Sequence, residues 1–206
     1  MEKDYFKYYK PSYLIVLIIA FFVVVYLAKE YWVLSVSILS LVSFLILIVT
    51  EYLWRYPPFK YLFWIDDFSG RYEGKIVYQY KDNKGNTKTG KLDHVKIISQ
   101  KGSKISVSSF TKKTDGVSAS SLSVNKGMYV EKTDDDKHYN LIYNYLNDGS
   151  KDQGFPPHYG TEIIKFIKKG NTKILSGGYY TDRTPFQTRG NFEDLKWVSN
   201  DLEHEF

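Results

Sequence analysis

The segment Arg71–Tyr80, RYEGKIVYQY, alternates between two kinds of side chain. Its even-numbered positions are aromatic, aliphatic or glycine, whereas most of the odd-numbered ones are charged or polar. Successive side chains of a β-strand point to opposite faces, so one face of such a strand lies in a core and the other in water. The segment therefore predicts a strand with an inner face of Tyr72, Gly74, Ile76, Tyr78 and Tyr80.

Downstream of this strand, short runs of the same period are separated by glycine, asparagine and aspartate turns. Regularly spaced short strands without an amphipathic helix are typical of a sandwich or an up-and-down barrel. We predict an all-β domain over residues 68–198, an antiparallel up-and-down barrel of about eight strands, with one run around 117–132 forming a bend or bulge in a neighbour. The runs are 70–80, 91–99, 103–111, 117–124, 127–132, 138–146, 160–168, 172–181 and 189–197.

The predicted inner faces change character along their strands. One carries Leu141, Tyr143 and Tyr145, and another runs from Leu175 to Arg183 through Gly177, Tyr179 and Thr181. An eight-stranded barrel is just wide enough to hold one small ligand. We therefore expect a barrel closed by apolar side chains at one end, with a polar, tyrosine-lined pocket at the other.

Two uncharged apolar runs precede this domain, Tyr13–Ala28 and Trp32–Val49. A membrane-spanning helix needs roughly 20 apolar residues, so both runs are candidates once flanking aromatic residues are counted. Only Lys29, Glu30 and Tyr31 separate them, which predicts a two-helix transmembrane hairpin over residues 13–54. The adjacent Pro57 and Pro58 end the second helix and begin an interfacial linker over residues 55–67.

The orientation of the hairpin follows from the lysine and arginine residues near its ends. Three lysines precede the first span, Arg55 and Lys60 follow the second, and only Lys29 lies in the turn. We predict a multi-pass membrane protein with both termini cytoplasmic. Residues 1–12 form its cytoplasmic N-terminal segment, and residues 199–206 form a tail after the barrel.

The composition excludes several function classes. From Asp67 onward the chain has 22 Lys and Arg against 18 Asp and Glu, a net charge of +4 that does not suit a DNA or RNA polymer. There is no cysteine, no Gly-x-Ser-x-Gly motif and no phosphate-binding glycine loop. The four histidines lack metal-ligand spacing. We predict neither an enzyme, nor a cofactor, nor a metal site.

Tyrosine is the informative residue, because ten of the 19 tyrosines follow Asp67. Several buried hydroxyl groups in one barrel need partners, and a planar phosphate-bearing ligand supplies them. We predict that bases stack on Tyr78, Tyr80 and Tyr145, and that Thr181 and Arg183 bind hydroxyl or phosphate groups. The alternatives are that the tyrosines are core residues and that Arg183 is a surface or turn residue before Pro185.

Two short motifs and the domain order resemble a known family. The β-rich domain opens with the segment Phe68–Gly74, FSGRYEG, and closes with LSGGYYTDR over Leu175–Arg183, followed by Arg189 and Gly190. Together with two N-terminal spans, this arrangement resembles the two-transmembrane, β-barrel effectors of bacterial CBASS antiphage operons. The resemblance covers nearly the whole chain.

The resemblance implies a function and partners. It implies a protein of the bacterial inner membrane whose cytosolic barrel binds a cyclic dinucleotide or a related cyclic oligonucleotide second messenger. It further implies that the chain forms a homo-oligomer and that the clustered spans disrupt the lipid bilayer in abortive infection. Two alternatives from other classes stay open. One is a membrane-anchored, lipocalin-like barrel that binds a lipid or another hydrophobic molecule, and the other is an adaptor barrel that binds a protein.

Overall fold

A computed structural model describes residues 6–28, 37–112, 119–149, 156–183 and 187–203. The chain divides into two compact units. The first consists of residues 1–67 and 100–105, and the second of residues 68–99 and 106–206. The predicted turn at residues 29–31 and the end of the predicted tail, residues 204–206, lie outside the described residues.

The first unit contains the apolar helices. Helix α1, Pro11–Ala28, is long and apolar enough to cross a membrane, and no residue of it is buried. Helix α2, Ile38–Ile48, continues into a π-helical turn at Val49–Leu53, and together they have 16 residues, or about 24 Å. Of the two predicted spans, the described residues therefore support one. The second helix is shorter than a membrane requires, so a clear two-helix hairpin and a multi-pass topology are not supported there.

Residues 55–67 are packed rather than extended. A short 3-10 helix, Phe59–Leu62, follows the two prolines, and a β-bridge joins Phe63 to Tyr9, just before α1. The Tyr9 hydroxyl lies 2.7 Å from Thr50 Oγ1, and the Tyr9 ring lies 4.3 Å from the ring of Phe63. The chain entering α1 is thus held beside the chain that follows the second helix.

The second unit is an antiparallel β-barrel with nine strand segments. Along the sheet their order is β4-β3-β2-β1-β9-β8-β7-β6-β5, and a β4–β6 pairing closes the barrel. The segments are β1 (Gly70–Lys81), β2 (Thr87–Lys101), β3 (Lys104–Lys112), β4 (Ala119–Asn125), β5 (Tyr129–Lys132), β6 (Tyr139–Asn147), β7 (His158–Lys169), β8 (Thr172–Thr181) and β9 (Thr188–Ser199).

Nine segments make eight strand positions, because β4 and β5 share one. Both pair with β6, β4 at Tyr145–Asn147 and β5 at Tyr139–Ile142, with a one-residue change of register between them. The Lys126 N–H donates to Asn144 O at 2.8 Å and bridges the interruption. The prediction of an antiparallel barrel of about eight strands is confirmed, and the extra run is explained by β4 and β5, two segments in one strand position.

One end of the lumen is filled with apolar side chains. The Tyr72 ring is fully buried and its hydroxyl donates to Phe68 O at 2.7 Å. The ring of Phe68 packs edge-on against the ring of Phe166, with 4.8 Å between centroids. The other fully buried side chains at this end come from neighbouring strands and include Leu141, Ile164, Leu175 and Leu195. The predicted apolar closure of one end is thus present, and it leaves the other end as the place for a site.

Candidate functional site

Three tyrosines at the other end lie against glycines of adjacent strands. Tyr78 pairs with Gly90, Tyr145 with Gly160 and Tyr179 with Gly190. A Cβ atom at Gly90 or Gly160 would lie 2.3 Å from the facing tyrosine ring, and one at Gly190 would lie 2.7 Å from the ring of Tyr179. Only glycine leaves room for these rings to lie across the barrel wall. We call Tyr78, Tyr80, Tyr145 and Tyr179 the tyrosine mouth.

The members of the tyrosine mouth sit close enough to interact. The rings of Tyr78 and Tyr80 are stacked, with 6.4 Å between their centroids and an interplanar angle of 17°. Burial, and then the nearby Glu162 carboxylate, raise the pKa of Tyr145 and that of Tyr179. These hydroxyl groups are therefore neutral at pH 7 and available as hydrogen-bond donors. The mouth offers aromatic faces and hydroxyl groups in one place, as a planar polar ligand requires.

Arg183 follows β8 at the edge of the tyrosine mouth. Its guanidinium is half-buried and lies near the hydroxyl groups of Tyr179 and Tyr80, and burial lowers the pKa of Arg183 somewhat from its usual value. Because arginine stays protonated far above pH 7, the mouth has a cation at its edge. A guanidinium beside aromatic rings is the arrangement that binds a phosphate next to a stacked base.

Thr181 is buried, and its hydroxyl serves the backbone. Thr181 Oγ1 accepts the Thr188 N–H at 3.0 Å and the Arg183 N–H at 3.4 Å. These bonds join the end of β8 to the start of β9 and fix the chain that carries Arg183. The structure thus gives Thr181 a positioning role, although its hydroxyl proton remains able to donate.

A buried ion pair crosses the lumen beneath the tyrosine mouth. Lys96 Nζ on β2 lies 2.6 Å from Glu162 Oε2 on β7, and both side chains are at least 95% buried. In the eight-position barrel, β2 and β7 are on opposite walls. Lys96 Nζ also donates to Ser109 Oγ at 2.8 Å, and the Tyr143 hydroxyl donates to Glu162 Oε2. We call Lys96, Glu162, Tyr143 and Ser109 the lumen bridge.

The lumen bridge divides the barrel into two parts. The ammonium group of Lys96 lies 4.3 Å from the centroid of the Phe192 ring, a cation–π contact that adds a fifth strand to the bridge. Burial lowers the pKa of Lys96, opposed by the charge of Glu162, and burial raises the pKa of Tyr143 well above its usual value. A lumen crossed by charge and filled on one side disfavours the long apolar channel that a lipid-binding barrel needs.

His94 lies one inward position nearer the mouth than Lys96. Burial, and then the charge of Lys96, hold the pKa of His94 well below its usual value of 6.5. Its ring packs against Phe192 with centroids 5.1 Å apart, and Phe192 in turn packs against Tyr179 at 5.8 Å. An aromatic column therefore connects the tyrosine mouth to the lumen bridge.

The low pKa of His94 predicts a pH dependence of stability. The unfolded chain takes up a proton at His94 below about pH 6.5 while the folded barrel does not, so the free energy of unfolding falls as pH falls. Relative to a His94→Gln variant, the wild type is expected to lose about 1.4 kcal/mol per pH unit below pH 6.5. Urea unfolding of both proteins between pH 7.5 and 5 measures this difference, and parallel pH profiles would contradict it.

The structure brings together most of the residues predicted to bind a ligand. Tyr78, Tyr80, Tyr145 and Arg183 lie around the tyrosine mouth, and Thr181 lies at its edge as a support for the chain. Sequence reasoning placed Tyr179, which neighbours the others, on an inner face without assigning it to the ligand. It left out the buried polar residues Lys96, Glu162 and His94. Strand alternation places all four side chains on the inner face of the barrel. For the charged ones, Lys96 and Glu162, nothing in the sequence indicated a partner inside the barrel.

A separate groove of about 440 Å³ lies on the outer surface of β6, β7 and β8. Its lining includes the outward-facing Asn144, Tyr159, Thr161 and Tyr180. Of the residues around the tyrosine mouth, the groove touches Gly160, which faces Tyr145, and Thr181. The groove is therefore an outer-surface feature and not part of the lumen.

The described residues form a β-barrel that is filled with apolar side chains at one end and carries the tyrosine mouth at the other. A family model for the Cap15 cyclic dinucleotide receptor domain matches residues 63–196, well over half of the 206-residue chain. The chain belongs to this family, and the resemblance to CBASS effectors is confirmed. No curated protein and no solved structure matches the chain. In the described part of the chain, no cluster of metal-ligating residues is present.

Proposed function

We propose that the tyrosine mouth binds a cyclic dinucleotide, with bases stacked on the tyrosine rings and a phosphate on Arg183. The observation that carries this proposal is the set of three tyrosine–glycine pairs at one end of the barrel, with an arginine beside them. Base stacking on aromatic side chains contributes about 1–3 kcal/mol per base, and a charge-assisted hydrogen bond to phosphate adds to it. The family match supports the same ligand class.

The proposed output is disruption of the bacterial inner membrane by the assembled protein. Helix α1 supports membrane anchoring, because it has the length and apolarity of a span. The bridge between Tyr9 and Phe63 supports an antiparallel hairpin, since it holds the start of the first helix near the end of the second. Ligand binding favours whichever state of the protein binds it better, and here that state is a membrane-active homo-oligomer.

A charge in the second helix separates ligand binding from membrane damage. Leu45 lies in the middle of the apolar segment, so a lysine there disfavours its insertion by about 2.5–3.5 kcal/mol. In liposomes loaded with a dye, the wild type is expected to release the dye when the cyclic dinucleotide is added. The Leu45→Lys variant is expected to bind the ligand equally well and to release little dye. Full release by this variant would contradict the role of the second helix.

The absence of cysteine makes the topology directly testable. In intact spheroplasts, a membrane-impermeant maleimide is expected to label a Glu30→Cys variant, whose cysteine lies in the predicted external turn. An Asp201→Cys variant is expected to react only after lysis, because the predicted barrel faces the cytoplasm. Labelling of position 201 in intact cells would reverse the orientation, and protection of position 30 there would contradict the two-span hairpin.

A further inference from the structure

A buried polar atom beside the lumen bridge lacks a hydrogen-bond partner among the described residues. It is Nε2 of His94, on a side chain that is only 4% exposed. The other ring nitrogen, Nδ1, lies 3.1 Å from Thr111 Oγ1 on β3. An unsatisfied buried polar atom destabilises the state that contains it, so a partner for Nε2 in the functional state would remove that penalty.

The position of His94 identifies where that partner must be. Thr111 holds the ring from one side, and Nε2 is the nitrogen farther from the backbone, so it extends toward the barrel axis. The lumen bridge lies below, and the aromatic column of Phe192 and Tyr179 leads up to the mouth. The other buried side-chain atoms without a partner in the described part of the chain lie elsewhere, in turns at Ser103 and His138 and at the apolar end at Trp197.

The chemistry of the ring selects the kind of ligand group. His94 is neutral at pH 7, because burial and the neighbouring Lys96 charge disfavour the imidazolium. A neutral imidazole nitrogen offers a single donor or acceptor and no charge, so it suits a neutral partner better than a phosphate. In the proposed function the phosphate lies on Arg183, at the outer edge of the mouth.

We propose that His94 Nε2 hydrogen-bonds the edge of a nucleobase that enters the lumen between the tyrosines, and that His94 is a specificity-determining residue of the receptor. This inference rests on the proposed function, since it names a contact of the same ligand. The tyrosine rings accept any base, because every base has a stacking face. A hydrogen bond at the inner end of the aromatic column distinguishes one base edge from another, because a mismatched edge leaves a buried group unpaired.

Two near-isosteric substitutions of His94 distinguish the contribution of Nδ1 from that of Nε2. His94→Asn keeps a polar group near the position of Nδ1, within reach of Thr111, and removes Nε2. His94→Gln places an amide near the position of Nε2 and loses the contact to Thr111. If His94 reads the ligand, the glutamine variant keeps an affinity close to that of the wild type, whereas the asparagine variant binds about tenfold more weakly. If His94 only supports the fold, the asparagine variant binds the ligand at least as tightly as the glutamine variant does.

The experiment is a calorimetric titration of the full-length chain in detergent with cyclic di-AMP, cyclic di-GMP, cyclic GMP-AMP and cyclic di-UMP. In the asparagine variant we expect about a tenfold loss for the preferred probe and a smaller difference among the probes. His138→Asn, a half-buried histidine in the β5–β6 turn at the other end of the barrel, is the matched control and is expected to bind as the wild type does. Thermal melting without ligand checks that all variants are folded.

The outcomes separate the inference from the proposed function. Equal affinity of the wild type and His94→Asn, or a uniform loss for every probe that binds, overturns the base-reading role and leaves the receptor function intact. An equal loss in His94→Asn and His94→Gln overturns it as well. A folded wild type that binds none of the probes overturns the proposed function and, with it, the assignment of His94.

Discussion

Replacing Glu162 by alanine is expected to lower the free energy of unfolding of the barrel by about 3–5 kcal/mol. Glu162 is the only carboxylate that contacts the buried Lys96 among the described residues, at 2.6 Å. Its loss leaves an ammonium group in the lumen with one hydroxyl, Ser109 Oγ, and the face of Phe192 as partners. The Tyr143 hydroxyl loses its acceptor in the same change. Chemical denaturation of the full-length protein in detergent, followed by far-ultraviolet circular dichroism, measures the loss.

A double variant controls for the side-chain volume and for the Tyr143 hydrogen bond that Glu162→Ala also removes. Lys96→Met combined with Glu162→Gln removes both charges, keeps similar side-chain volumes and leaves an amide oxygen for the Tyr143 hydroxyl. Replacing both members of a buried ion pair often costs little, because the penalty of burying the charges disappears with their attraction. We expect the double variant to recover most of the stability that Glu162→Ala loses. Equal losses in the single and double variants would mean that the charge pairing is not what stabilises the bridge.

Replacing Arg183 by alanine is expected to weaken binding of a cyclic dinucleotide by about 10- to 150-fold and to leave the barrel folded. The estimate corresponds to the roughly 1.5–3 kcal/mol of hydrogen bonds to a charged group. The fold should tolerate the change because Arg183 lies two residues beyond Thr181, the last residue of β8, and its side chain is only half-buried. The Arg183 backbone N–H can still donate to Thr181 in the variant. Calorimetric titration gives the affinity, and circular dichroism gives the fold.

Arg189 provides the matched control for this experiment. It lies on β9 at the same end of the barrel, but it is exposed and its strand position faces outward. An Arg189→Ala variant removes the same charge from the protein without removing it from the mouth. We expect it to bind as the wild type does. Equal losses in the two variants would point to a general effect of net charge, and a loss of fold in Arg183→Ala would make Arg183 a structural residue.

Much of the barrel could be predicted from the sequence, because alternation is visible wherever one face is buried. Each of the nine predicted runs corresponds to a strand segment, and the inner face of β1 is as predicted. The strand boundaries were harder to predict. The structure begins β2 at Thr87 rather than at residue 91, because the first residues of this strand are exposed and show no alternation. The pairing of β4 and β5 with one neighbour depends on long-range contacts that no local pattern contains.

The tyrosines could be predicted as a group, whereas the lumen bridge could not. The alternation of side chains along each strand places Lys96 and Glu162 inward. They are 66 positions apart in the chain, however, and only closure of the barrel brings Lys96 Nζ to within 2.6 Å of Glu162 Oε2. Charged residues at inward positions are easily read as exceptions to the pattern. The role of Thr181 was also hidden, because the backbone groups it binds belong to the chain after β8 and to the start of β9.

The most direct test of the central claim, that the tyrosine mouth is a cyclic dinucleotide receptor, is a thermal-shift titration of the full-length protein. Each probe, from cyclic di-AMP to cyclic di-UMP, is added to wild type and to Arg183→Ala in detergent. A ligand at about 100 times its dissociation constant stabilises the folded state by roughly 2.7 kcal/mol. We predict a concentration-dependent rise in melting temperature for at least one probe, strongly reduced by Arg183→Ala. No rise with any probe, in a protein with the circular dichroism spectrum of a folded barrel, would contradict the claim.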